Sequence, residues 1–154
     1  MSYKRTAAFV IVIDTREQLP YSLDGAIVRT LSTGDYSLAG YEDICAIERK
    51  SLSDLFGSVT QGRERFEREI ERLSQLRFAA VVIEASMGDI LRGCPNSAAN
   101  PEAVLATVLS WSAEYRIPFV FAGNREGGKA FVERQLNQYA RLLQREAKEK
   151  AANG

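Results

Sequence analysis

The sequence predicts a single α/β domain in which helices flank a mixed central β-sheet. Short apolar, β-branched runs alternate along the chain with segments whose apolar residues recur every three or four positions, as in amphipathic helices. The chain has 154 residues, 45% of them hydrophobic and 26% charged, which suits one domain with a sizeable core. Strands and helices that alternate in this way build a sheet with helices on its faces.

The first half of the chain predicts four strands, two of which form a hairpin. Each strand is a short apolar or β-branched run, and turn signals such as Asp24-Gly25 separate the runs. The last two runs lie on either side of the stretch AGYED, which predicts a β-hairpin. The predicted strands are residues 9–13, 26–31, 34–38 and 44–50.

The second half predicts helices that alternate with two buried strands. Ser51 followed by Asp54 fits a capping box, and Asn100 followed by proline fits the start of a later helix. We expect residues 1–148 to form one domain and residues 149–154 a disordered polar tail. The remaining predicted elements are a helix over 62–76, a strand from residue 78, a helix from 101 to about 115, a strand over 117–123 and a helix after residue 128.

The composition excludes several classes of active site. The chain contains no histidine, which rules out Ser-His-Asp triads, Cys-His pairs and HExxH zinc sites. Its two cysteines, Cys45 and Cys94, lack CxxC spacing and predict small apolar residues rather than a disulfide framework. Hydrolytic chemistry must therefore use carboxylates, lysine, a hydroxyl group or a metal held by oxygen ligands. The 20 basic residues balance the 20 acidic ones, so the net charge gives no sign of nucleic-acid binding.

The sequence predicts neither membrane insertion nor export. No apolar run approaches the ~20 residues that a membrane span needs. Lys4 and Arg5 precede an apolar run, as in a signal peptide, but that run ends at Asp14 without a cleavage pattern and fits a strand better. We therefore expect an intracellular, cytoplasmic protein without membrane contact, associated with the nucleoid or, in a eukaryote, located in the nucleus.

Charged residues gather where the predicted strands end. Glu48, Arg49 and Lys50 close an apolar run, although a buried charge is costly unless it is paired or bound to a metal. Because strand side chains alternate, Glu48 and Lys50 point to one face and Arg49 to the other. Asp35 lies on the hairpin partner and Asp14 ends the first strand. Carboxylates suit Mg²⁺, and a lysine beside them can orient an attacking water or offset phosphate charge, so the pattern supplies these parts without histidine.

Four stretches of the chain carry a set of motifs: VIDTRE at 12–17, GDYSL at 34–38, ERKSLSDL at 48–55 and GSVTQGR at 57–63. Together they resemble the XPF-type structure-specific endonucleases, whose signature reads GDx(n)ERKx₃D. Every position of that signature is filled here, up to Asp54 at its end. The resemblance covers roughly residues 9–145, which is nearly the whole chain.

This resemblance implies a restriction-endonuclease-like fold that cleaves DNA phosphodiester bonds with Mg²⁺ or Mn²⁺ at branched, flap or fork structures. It implies that Asp35, Glu48 and Asp14 bind the metal. Lys50 would help to activate water, and Arg49 would belong to the catalytic group. The residues that the resemblance places in support of the site or of the DNA backbone are Asp14, Arg16, Glu17, Arg49, Asp54 and Arg63.

The resemblance also sets expectations about partners. Family members commonly continue into a helix-hairpin-helix DNA-binding module, and we expect no such module within residues 1–154. We therefore expect DNA as the ligand, a separate DNA-targeting protein as a partner, and a homodimer formed through the C-terminal helices. Two alternatives stay open: a catalytically silent DNA-binding or dimerisation module of the same fold, and a restriction-type or phage nuclease. A silent module would be expected to lose signature residues, and none is lost here.

Two further patterns favour ordinary structural roles. In the arginine-rich stretch RERFEREIER, Glu64 with Arg68 and Arg65 with Glu69 have i,i+4 spacing, which favours a solvated, salt-bridged face over a DNA-tracking one. The stretch GNREGGKA at 123–130 approaches a phosphate-binding loop, but alanine stands where that motif needs a hydroxyl group. A glycine-containing turn between a strand and a helix fits it better.

Overall fold

The computed structural model describes residues 3–154, which form one six-stranded sheet covered by helices on both faces. The strand order is β2-β1-β3-β4-β5-β6. The strands are β1 (Ile11–Asp14), β2 (Ile27–Arg29), β3 (Tyr36–Leu38), β4 (Cys45–Lys50), β5 (Phe78–Ile83) and β6 (Phe119–Phe121). The helices are α1 (Leu52–Val59), α2 (Arg63–Ser74), α3 (Met87–Arg92), α4 (Pro101–Tyr115) and α5 (Arg125–Asn153). The predicted α/β class with a mixed sheet is confirmed.

The pairing of the strands brings several strand ends to one edge of the sheet. Strand β1 is parallel to β2 and antiparallel to β3, which continues antiparallel to β4 as the predicted hairpin. Strands β4, β5 and β6 are parallel to one another. The carboxyl ends of β1, β4, β5 and β6 and the amino end of β3 therefore share an edge. Sequence-distant polar residues meet there.

Two apolar clusters, one on each face of the sheet, form the core. Alternate residues of β5 belong to opposite clusters: Val81 and Ile83 pack under α1–α4, whereas Val82 packs under α5. The same alternation in β4 sends Ala46 towards α1–α4 and Ile47 towards α5. Because side chains alternate along a strand, this register fixes the face on which each later residue of β4 lies.

Helix α5 uses its apolar stripe to cover the sheet. Val132, Leu136, Tyr139 and Leu143 are all buried within the chain, and the Tyr139 ring stacks on Phe78 at a centroid distance of 5.0 Å. Because the stripe is buried against the sheet of the same chain, a homodimer formed through the C-terminal helices could not use it.

Helix α5 is longer at both ends than the sequence indicated. It begins at Arg125, where the Asn124 side chain accepts a hydrogen bond from the N–H of Gly127, rather than after Gly128. It ends at Asn153, so the predicted disordered tail is helical in the structure. The last residues are good helix formers without an interior glycine or proline, which explains the extension.

None of the helices between residues 3 and 154 combines the length and apolar character of a transmembrane segment.

Helix α3 was absent from the sequence prediction. It has only six residues, too few for a periodic apolar pattern to stand out. The sequence does contain the residues of its capping box, Ser86 and Asp89. In the structure the Ser86 side chain accepts a hydrogen bond from the N–H of Asp89, and the Asp89 side chain accepts one from the N–H of Ser86. A search for capping pairs would have found this helix.

Gly127 and Gly128 lie inside α5 rather than in the predicted turn, and Gly128 serves packing. A Cβ on Gly128 would lie 2.2 Å from the Tyr21 Oη, so only glycine lets this tyrosine reach its place beneath the helix. We predict that Gly128→Ala lowers the free energy of unfolding by about 1–3 kcal/mol through overpacking. Urea unfolding followed by circular dichroism would measure the change.

Gly57→Ala is the matched control for this substitution. Gly57 lies inside α1, and a Cβ there would meet no atom within 4 Å. Alanine should therefore stabilise the protein by about 0.5–1 kcal/mol through helix propensity. Equal effects of the two substitutions would contradict the packing role of Gly128.

Candidate metal centre

Three chain segments converge on the edge where β1 and β4 end. The N–H of Asp14 donates to the Asp35 carbonyl at 2.8 Å, and the N–H of Asp35 donates to the Ile47 carbonyl at 2.9 Å. Since Tyr36 pairs with Ile47 in the antiparallel register, Asp35 lies opposite Glu48. The resulting cavity of about 210 Å³ is lined by Asp14, Arg16, Ser32, Thr33, Gly34, Asp35, Glu48, Glu69 and Arg72.

Gly34 makes the close approach of Asp35 to β4 feasible. Its φ of +80° lies in the left-handed region, which glycine adopts without steric cost. A Cβ at this position would lie 2.7 Å from the Cβ of Ala46. In the Gly34-Asp35 pair of the sequence motif, the glycine thus permits the turn, and the turn places the Asp35 carboxylate beside β4.

Asp35 and Glu48 form a pair of carboxyl groups without a cationic partner. Glu48 is 8% exposed, and neither residue forms a salt bridge with any arginine or lysine of residues 3–154. Burial raises the pKa of Asp35, and burial together with the neighbouring Asp35 carboxyl raises the pKa of Glu48 well above its usual value. The protein alone therefore favours a shared proton between these groups, as expected for two close acids.

Asp14 faces the same cavity but is held by donors of the protein. Its carboxylate accepts hydrogen bonds from the Arg16 Nε at 2.9 Å and from the Leu31 N–H at 2.8 Å. Burial alone would raise the pKa of Asp14, but these donors outweigh it and lower that pKa. Within residues 3–154, no three carboxylate or cysteine side chains form a cluster that could hold a metal ion. The structure thus presents Asp35 and Glu48 as a pair, with Asp14 beside them.

Lys50 lies on the same face of β4 as Glu48 and opens onto a second, larger cleft. Its Nζ is 4.6 Å from the centre of the Phe66 ring, which holds the ammonium at the cleft wall. Asp54 lies on the same wall, and its N–H donates to the Ser51 Oγ at 3.2 Å as the start of α1. The cleft of about 620 Å³ is lined by Gln18, Lys50, Ser53, Asp54, Gly57, Ser58, Gln61, Gly62, Arg65, Phe66 and Glu69.

Arg49 points to the opposite face of the sheet and is buried in an ion-pair network. Its guanidinium donates to both oxygens of Glu17, at 2.9 and 2.8 Å, and to Glu84 at 3.1 Å. Burial alone would raise the pKa of Glu17, but Arg49 outweighs it and lowers that pKa. The N–H of Arg49 donates to the Asp35 Oδ2 at 2.8 Å. Arg49 therefore reaches the cavity through its backbone while its side chain anchors the strand from behind.

Glu84 completes this network and was not among the predicted site residues. Glu84 follows the last residue of β5 and accepts hydrogen bonds from the Tyr21 hydroxyl at 2.5 Å and from Arg49. Burial, followed by the bond to Glu84, raises the pKa of Tyr21. The available signal was an acidic residue directly after an apolar strand, the same pattern that drew attention to Glu48.

Glu69 was predicted to belong to a solvated face, but it lines both the cavity and the larger cleft. Its charge contributes to the raised pKa of Glu48.

Arg63 lies away from both spaces: its guanidinium donates to the Thr107 hydroxyl at 3.1 Å and lies 5.0 Å from the centre of the Trp111 ring. Arg63 thus joins α2 to α4 and lines neither space.

The chain was compared with known proteins at the level of family, sequence and fold. The family model described as the ERCC4 domain matches residues 13–149. No curated protein matches the sequence. The fold matches a structure of XPF from Aeropyrum pernix with a TM-score of 0.65 and 20% identity, over 87% of this chain and 61% of the other.

A second structure, of XPF from Aeropyrum pernix in complex with DNA, matches with a TM-score of 0.65 and 21% identity, over 90% of this chain and 66% of the other. This chain therefore spans about two thirds or less of the length of the chains it matches. The family match confirms the resemblance seen in the motifs, and the structural matches show a shared fold. The chain belongs to the ERCC4 domain family, a family of nuclease domains.

Proposed function

We propose that this domain is a divalent-metal-dependent DNA endonuclease. The observation that carries the proposal is the Asp35–Glu48 pair. Two carboxyl groups face each other there without a salt bridge to any arginine or lysine of residues 3–154, and Glu48 is buried. Such an arrangement is unfavourable for the ionised forms unless a cation joins them. The family match and the DNA complex of the similar XPF structure support DNA as the substrate.

The residues present fit a hard divalent cation such as Mg²⁺ or Mn²⁺. Asp35 and Glu48 would supply carboxylate oxygens, and Asp14 would contribute as an acidic neighbour whose orientation Arg16 fixes. Magnesium sites commonly use one or two carboxylates and complete their coordination with water and substrate phosphate. When bound, the cation would polarise the scissile phosphodiester and stabilise the charge that develops on it.

The chain's own residues supply the remaining parts of the chemistry. Lys50 lies on the same face of β4 as Glu48 and would orient the attacking water and offset the growing negative charge on the phosphate. Arg49 serves as a positioning residue, because its N–H holds the Asp35 carboxylate and its buried side chain fixes that N–H. Glu17 and Glu84 keep the Arg49 guanidinium in place from the opposite face.

We propose branched, flap or fork DNA as the preferred substrate. One support is the XPF-type signature. The other is the zero net charge of the chain, because a chain without excess positive charge offers few phosphate contacts for tight binding to plain duplex. Distorted DNA has already met part of its deformation cost, so it would enter a carboxylate-lined cavity more easily. A restriction-type nuclease and a silent DNA-binding module are the alternatives that the following experiment separates.

Cleavage should require a divalent cation and both carboxylates of the pair. We expect the protein to cut labelled flap and fork DNA with Mg²⁺ or Mn²⁺, to cut linear duplex more slowly, and to lose activity in chelator. Asp35→Ala and Glu48→Ala should each reduce the cleavage rate by roughly 100-fold or more. Gel assays with each substrate would measure these rates.

Asp43→Ala is a suitable control, because Asp43 is an exposed carboxylate in the turn between β3 and β4. It should cut at the wild-type rate. Activity of Glu48→Ala close to that of Asp43→Ala would refute the metal-site assignment. A wild-type protein that binds DNA but never cuts it would favour the silent module, and equal cutting of flap and duplex would favour the restriction type.

The coupled pair should also make stability depend on pH in a defined direction. The folded-state pKa values of Asp35 and Glu48 are raised above the ordinary 3.8 and 4.5. Their contribution to stability is therefore fully present at pH below about 4 and is lost as the pH rises through the folded-state values. In metal-free buffer at pH 8, Glu48→Gln should exceed the wild type in stability by about 1 kcal/mol.

This difference should shrink as the pH falls towards 4, and Mg²⁺ at pH 8 should stabilise the wild type more than the variant. Glu71→Gln, an exposed position on α2, controls for loss of one negative charge. Thermal melts over pH 4–8 would follow all three proteins. A wild type that matches Glu48→Gln at every pH would show that the pair is not repulsive.

Homodimerisation and a DNA-targeting partner stay predictions about assembly. The apolar stripe of α5 is buried within the chain, so a dimer would have to use other parts of the C-terminal helices. Sedimentation equilibrium at tens of micromolar should give about twice the chain mass of 17.1 kDa if the family mode of pairing applies. A mass equal to that of one chain would reject the dimer.

A further inference from the structure

Helix α2 carries a row of three charged residues along the active-site side of its surface. Arg65, Glu69 and Arg72 follow one another at intervals of four and three residues, the spacing that aligns side chains on one face of a helix. The row runs beside the buried stripe by which α2 packs onto the sheet. From Arg65 to Arg72 the helix rises about 10.5 Å.

This row lines the two spaces that adjoin at the proposed metal centre. Arg72 lies in the wall of the cavity that holds Asp35 and Glu48. Arg65 lies in the wall of the larger cleft, onto which Lys50 opens. Glu69 belongs to both walls. The row therefore spans the carboxylate pair and the lysine, with one arginine on each side.

The two arginines of the row have no anionic partner in the rest of residues 3–154. The expected ion pairs of α2, including Arg65 with Glu69, are not present within 4.0 Å, although six other arginines of residues 3–154 do pair with carboxylates at 3.5 Å or less. Both guanidiniums are exposed. They are therefore available to an anionic ligand at no cost in broken salt bridges.

We propose that this row binds the sugar–phosphate backbone of one DNA strand. Arg72 and Arg65 would contact phosphates on either side of the phosphate that faces Glu48 and Lys50. The spacing is compatible with this placement, because about 10.5 Å along the helix axis separates the two arginines and each long side chain can extend further to reach a phosphate beside the central one. This inference rests on the proposed nuclease function and adds to it the path of the strand and the residues that hold it.

Glu69 makes this binding depend on a cation. Glu69 lies between the two arginines along α2 and lines the same cavity as Glu48, whose pKa its charge helps to raise. A phosphate in the same place would be repelled by both carboxylates unless a divalent cation lay between them. The strand should therefore bind well only when the metal is present, which couples substrate binding to assembly of the active site.

The test measures DNA binding separately from cleavage. Labelled single-stranded and duplex oligonucleotides would be titrated by fluorescence anisotropy, in Ca²⁺ to supply a divalent cation with cleavage followed in parallel, and in chelator. Arg65→Ala and Arg72→Ala should each weaken binding in Ca²⁺ by about 3- to 10-fold and lower the salt slope by about one. Arg68→Ala is the matched control, since Arg68 is exposed on the same helix and lines neither space.

Glu69→Gln tests the cation dependence. It should bind DNA several-fold more tightly than the wild type in chelator, and Ca²⁺ should improve its binding less. Thermal melts would confirm that each variant is folded. A wild type that cuts DNA while Arg65→Ala and Arg72→Ala bind like Arg68→Ala would overturn the proposed strand path and leave the nuclease proposal intact. A wild type that never cuts, with row variants that still weaken binding, would overturn the nuclease proposal and support the strand path.

Discussion

The repulsion between Asp35 and Glu48 is the constraint around which this edge of the sheet is organised. The hairpin places the two carboxyl groups opposite each other, and Gly34 lets the chain approach β4 closely enough for that to happen. No lysine or arginine of residues 3–154 forms a salt bridge with either group. In the folded chain alone, a proton must relieve the repulsion, and a divalent cation is the natural replacement for that proton.

The charged side chains on the two faces of β4 have different roles. One face presents Glu48 and Lys50 to the open spaces, whereas the other buries Arg49 between Glu17 and Glu84. Removing one partner from a buried ion pair leaves an uncompensated charge and is strongly destabilising. The network therefore resists movement of β4, and the Arg49 N–H that holds Asp35 shares that rigidity. Of these three consecutive charged residues, Glu48 and Lys50 thus face the proposed site of the chemistry, whereas the Arg49 side chain anchors the strand.

The sequence predicted most strands and the hairpin, and it placed Asp35 on the strand next to that of Glu48, because alternation along a strand is local and regular. It missed what depends on distant contacts. Gly127 and Gly128 were predicted to lie in a turn, yet they lie in the first turn of α5, where side chains would clash with the Ala122 carbonyl and the Tyr21 hydroxyl. Glu69 was predicted to form half of an i,i+4 pair, since only the packing of α2 against the sheet shows that it lines the same cavity as Glu48. Local spacing could not distinguish these possibilities.

Calorimetry of cation binding at neutral pH, in two buffers of different ionisation enthalpy, tests the central claim most directly. If a cation replaces the proton shared by Asp35 and Glu48, binding of Mn²⁺ or Mg²⁺ should release up to about one proton per ion. Glu48→Gln should bind more weakly and release close to none. Binding by the wild type without proton release, or equal release from the variant, would contradict the claim that this pair is the metal site.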